Sequence, residues 1–167
     1  MENNNIDNEL VPFFKSRSQQ IKFEFFYLII TFLLSVITIF LIHFKIGIFE
    51  VENNSKLLFY ALIGGFLGGW TLDAKWFYRT TARGKHNQYK SIWESHKFYW
   101  RILIPFLSAL IAFIIFILIS TDSLPFVIKN KDSGRVAFGF SFLFGYFSDI
   151  VMSKFSKWLE ATMENNT

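Results

Sequence analysis

A chain of 167 residues has room for one domain. Its 52% hydrophobic content and mean hydropathy of +0.33 are too high for an ordinary soluble fold, and the absence of cysteine excludes disulfides and thiolate chemistry. The net charge of +4 does not point to nucleic acid, because the basic residues stand in connections beside apolar blocks, where they set membrane topology.

Residues 1–22 read as a polar arm, with Pro12 set against an early helix. No cleavable signal is expected, so the first apolar run is read as a retained anchor. That run, residues 25–42, has 18 positions without a charge. With its flanking phenylalanines it matches the roughly 20 residues that cross a hydrocarbon core of about 30 Å. Residues 57–72 are uncharged and short for a span. The helix is expected to continue through Lys75 and Arg79, whose charges snorkel while Trp76 joins the aromatic belt. The connection at 80–98 is the most basic and carries Arg83, Lys85, Lys90 and Lys97, with Arg79 and Arg101 flanking it. Residues 102–119 give a third uncharged run, with Pro105 placed in its first turn. A fourth span follows, interrupted by Asp149, and then a tail whose Phe155, Trp158 and Leu159 form an apolar side along the lipid surface. The large–small alternation of FGFSFLFGYF imitates a barrel strand, but the other three runs show none of it.

The sequence thus predicts an all-α fold, a four-helix transmembrane bundle in the inner (cytoplasmic) membrane. The spans are expected at about 23–44, 57–78, 100–120 and 135–153, within one membrane domain at 23–163, and residues 154–167 as an interfacial tail. Twelve lysines and arginines fall on the side of the termini and the long connection, and five on the other, which places both termini in the cytosol. Offsets of 76 and 74 residues align spans two and four and spans one and three, as a duplicated helical hairpin would.

Two small-residue stripes organise the chain. Ala61, Gly65 and Gly69 recur every four residues and lead to Asp73; Ala137, Ser141 and Gly145 lead likewise to Asp149. Gly64 with Gly68, and Gly65 with Gly69, are interleaved GxxxG pairs. Glycine weakens helices in water, so four in one span imply a packing reason. The stripe admits a neighbouring helix, a second copy of the chain, or a ligand against exposed backbone.

Asp73 lies roughly 24 Å down its helix and Asp149 roughly 20 Å down its own, both near the cytosolic end. Neither has a cation three or four residues away. They read as interfacial acids paired with Arg79, Arg101 or a loop lysine, as a carboxylate pair at a pore mouth, or as a proton relay. No spacing of His86 and His96 suits a metal, and no cofactor or metal is expected. The basic connection, with Trp100 beside it, suits anionic headgroups. No phosphate loop, nucleophile elbow or catalytic acid pair is present, so no enzyme is expected.

Residues 61–155, through GGFLGG, WESHKFYWRILIPFLSALIAF and FLFGYFSD, resemble a bacterial family of small multi-span proteins linked to YEATS-like domains in conflict and defence systems. Tyr99, Trp100, Pro105, Ser108, Ala109 and Ala112 fit its middle block, and Ile104 stands where the family carries an arginine. The resemblance implies a pore-forming membrane effector working with a separately encoded sensor. Two readings follow. One is an oligomeric pore with Asp73 and Asp149 at its cytosolic mouth. The other is a membrane-anchored interaction subunit without transport activity. The expected partners are the lipid bilayer and either further copies of the chain or a separate protein, not nucleic acid.

Overall fold

The computed structural model describes residues 16–50, 52–81, 93–121, 123, 133–148, 150, 151, 153, 154 and 157. They form four α-helices: α1 Arg17–Phe44, α2 Asn53–Thr81, α3 Phe98–Ser120 and α4 Gly134–Tyr146. Short 3-10 turns at Gly47–Phe49 and Ser95–Lys97 precede α2 and α3. Helices α1, α2 and α3 are long and apolar enough to cross a membrane, the marks of a multi-pass membrane protein.

The first helix begins earlier than the apolar run. Ser16 is its N-cap, and the side-chain oxygen accepts the Gln19 N–H at 3.3 Å. Ser16 thus supplies the N-cap half of a Ser-x-x-Gln pattern at 16–19, and the helix runs on through the polar residues that follow. Residues 17–22, expected in a polar arm, are therefore the opening turns of α1. At the other end Lys45 takes a left-handed conformation, and its N–H returns to Ile42 and Leu41.

Helix α3 also starts ahead of its uncharged run, at Phe98. Pro105 therefore sits inside the helix rather than in its first turn, and the carbonyl of Arg101 receives no bond from it. Helix α4 covers 13 residues, about 20 Å, less than the expected fourth span. The chain loosens into a turn at Phe147, and helical bonding resumes where Val151 donates to the Phe147 carbonyl at 2.9 Å.

Helix α2 is the centre, packed along α3 on one side and α4 on another. Helix α1 lies mainly along α2 and reaches α3 through long side chains. The molecule is sorted opposite to a soluble one. Gln20, Glu24, Asp73, Arg101, Ser108, Ser141 and Ser148 are buried, while Phe25, Phe26, Leu33, Ile37 and Phe40 of α1 and Leu103, Phe106, Leu110 and Ile114 of α3 are exposed. Lipid, as apolar as these side chains, gives no reason to hide them, whereas small and polar residues gain from meeting one another.

Candidate functional site

The glycines fix how close the helices come. An alanine Cβ at Gly64 or Gly68 would strike the α4 backbone at the carbonyls of Phe138 and Phe142. One at Gly69 would lie 2.6 Å from Ser108 and 2.9 Å from the Cα of Pro105, on α3. Gly145 in turn meets the carbonyl of Gly65. The two interleaved GxxxG pairs therefore face two different helices of the same chain. Ala61 and Ala137 are buried in one apolar cluster with Phe116. Nearby, Ser108 and Ser148 share a hydrogen bond at 3.1 Å, while the buried Ser141 hydroxyl has no partner among the described residues.

The unusual chemistry lies where α1, α2 and α3 meet at the end that carries the basic connection. Glu24 comes from α1 and is 0% exposed; Asp73 comes from α2 and is also 0% exposed; Arg101 comes from α3 and is 6% exposed. The Arg101 Nε lies 3.2 Å from a Glu24 carboxylate oxygen, an ion pair whose N–H is not aligned as a hydrogen bond. The guanidinium sits 3.9 Å from the ring centre of Trp93, a cation–π contact. The Trp93 indole N–H donates to the Gln20 side chain at 3.0 Å, closing the cluster from the connection side. Neither carboxylate oxygen of Asp73 has a hydrogen-bond partner among the described residues. Trp70 and Phe77 on either side of it meet Leu28 and Phe25 of α1, so Asp73 lies on the stretch of α2 that runs beside the first turns of α1.

Two further side chains tie α1 in place. The Tyr27 hydroxyl donates to the carbonyl of Ile102 at 3.0 Å, and the Trp70 indole N–H donates to the carbonyl of Leu28 at 3.0 Å. Such bonds inside a membrane contribute about 0.6–1.7 kcal/mol each. Tyr27→Phe and Trp70→Phe are each expected to lower stability by about that amount in a detergent unfolding titration. The pair together should approach the sum, because the two bonds share no group.

Several sequence-derived residues take other roles. Arg101, expected at the lipid interface, is buried, because Glu24 supplies the opposite charge that the interface would otherwise replace with water. Lys97 is exposed and pairs with Glu94 at 2.7 Å, with His96 3.3 Å from the same carboxylate oxygen. The Lys97 hydrogen bond, ahead of the positive charges of Lys97, His96 and Arg101, holds the Glu94 carboxyl below its ordinary range. Arg79 lies over the ring of Trp76 at 5.5 Å, and Lys75 donates to the Tyr146 hydroxyl at 2.9 Å. Trp76 and Trp100 are both exposed. Arg83, Lys85, Lys90, Asp149 and Trp158 lie outside the described residues.

Glu24 was the residue that sequence reasoning missed. Its signal was present: Gln20, Glu24, Leu28 and Ser35 share one face of α1, and Glu24 has no cation three or four residues away on its own helix. No protein-family model, curated protein or solved structure matches the chain.

Proposed function

We propose that the chain is a four-span inner-membrane protein with both termini in the cytosol, acting as a membrane-anchored interaction subunit rather than as a conduit. The observation that carries this reading is the inward use of the α2 glycines and of Asp73. The glycine pairs of α2 are closed over by α3 and α4, and Asp73 is 0% exposed within the chain. A single chain of four helices leaves little interior, so a pore would have to form between copies. The excess of lysine and arginine around the connection between α2 and α3 supports its cytosolic placement. The basic residues of that connection are, by their charge, where a partner is expected to dock. A separately encoded cytosolic protein is the kind of partner that the resemblance of residues 61–155 implies.

The test is the membrane potential of cells expressing the wild type or the Asp73→Asn, Asp149→Asn double variant at equal membrane level. Neither protein is expected to depolarise the cell. Depolarisation by the wild type that the double variant abolishes would overturn the reading in favour of an acid-lined pore.

A further inference from the structure

The cluster at the α1–α2–α3 junction holds two carboxyl groups and one guanidinium. Around it stand Glu24 and Tyr27 on α1, Asp73 on α2 and Arg101 on α3. Arg101 also acts on Glu94 of the connection, which is exposed and already paired with Lys97 and His96. Arg17, two turns ahead of Glu24 on α1, is not among the charges acting on either buried carboxyl. The nearest other cation on α2, Lys75, is turned to Tyr146 of α4. The neighbouring neutral donors are also committed elsewhere, Tyr27 to Ile102 and Trp93 to Gln20. The described residues of α4 bring no acid to this end, and Arg135 stands at the opposite end of that helix.

With both carboxyls ionised, these three groups would carry one net negative charge, with both acids at 0% exposure. An uncompensated buried charge is among the most costly arrangements a fold can hold, and such groups neutralise by taking up a proton. A metal ion is a poor substitute, since no group of three or more histidine, cysteine or acidic side chains comes together among the described residues.

We propose that Glu24, Asp73 and Arg101 form a proton-binding site in which the two carboxyls hold one proton between them and so latch α1 against α2 and α3. Protonated, the three groups sum to zero charge, and one carboxyl gains an O–H to donate. Deprotonated, the site is left with one excess negative charge shared by α1 and α2, and α1 is the helix with the least backbone packing to resist separation. The latch therefore closes on the acidic side and loosens as pH rises.

Infrared difference spectroscopy of the protein in liposomes reads the proton directly. At neutral pH, spectra of wild type minus Asp73→Asn and wild type minus Glu24→Gln should both contain the carbonyl band of a protonated carboxyl in an apolar setting. Either substitution leaves one carboxylate to one guanidinium, so either removes the band. Titrating the wild type to alkaline pH should remove it as well. A wild type without the band, or a band that survives either substitution, overturns the shared proton.

The opening of the latch has its own readout. Phe98, 0% exposed, packs edge-on against Phe23 of α1, and the chain has no native cysteine to interfere. Labelling of Phe98→Cys by a water-soluble maleimide should rise at least tenfold more with pH in the wild-type background than in the Asp73→Asn background. Equal rises in the two backgrounds would overturn the latch.

Discussion

Gly68→Ala is expected to break the association of α2 with α4. The added Cβ meets the carbonyl oxygen of Phe142 and stands 2.6 Å from the Tyr146 backbone nitrogen. Both are backbone atoms of a helix, so relief requires the two helices to separate, not a side chain to turn. A cost of about 3 kcal/mol, the top of the usual range for overpacking, is expected from thermal or denaturant unfolding in detergent. Gly139→Ala is the control. A Cβ there meets nothing within 4 Å, and replacing a helical glycine by alanine gains up to about 1 kcal/mol. Equal stabilities for the two variants would show that the α2–α4 seam is not the close contact described.

The second large effect is at Arg101. Arg101→Ala removes the partner of a fully buried carboxylate and the cation over Trp93, for an expected loss of about 3–5 kcal/mol. Much of that loss belongs to Glu24 and Asp73 left without a countercharge, so Glu24→Gln introduced into the Arg101→Ala chain should restore part of it. Arg101→Lys should fall between, since an ammonium lacks the planar face that stacks on the indole. Failure of the second substitution to restore any stability would mean that Arg101 acts through packing alone.

Three of the helices were legible in the sequence because 16 to 18 uncharged residues in a row have few alternatives to a long apolar helix. The starts of α1 and α3 were not. The polarity of residues 17–22 hides a helix start, because the backbone follows the Ser16 cap and carries Gln20 and Glu24 inward. The glycine spacing announced close approach but not its direction. Gly64 and Gly65 are neighbours in sequence yet serve different helices, and only the three-dimensional placement of α3 and α4 separates them. At Asp73, the lack of a local cation means that any partner must come from another element. The sequence held no sign that Arg101, one of the cations expected to serve it, would pair with a carboxylate from α1 instead.

The distance along the chain between α1 and its polar partners also bears on how the protein is made. Tyr27 and Ile102 are separated by 75 residues, and Gln20 and Trp93 by 73. At about 5–20 residues per second of synthesis, α1 precedes those partners by several seconds. Throughout that interval the nascent chain carries Glu24 without Arg101, the cation it pairs with in the finished fold. The ion pair closes only when α3 arrives, so the step that completes the cluster is a late inspection of a helix made seconds before it.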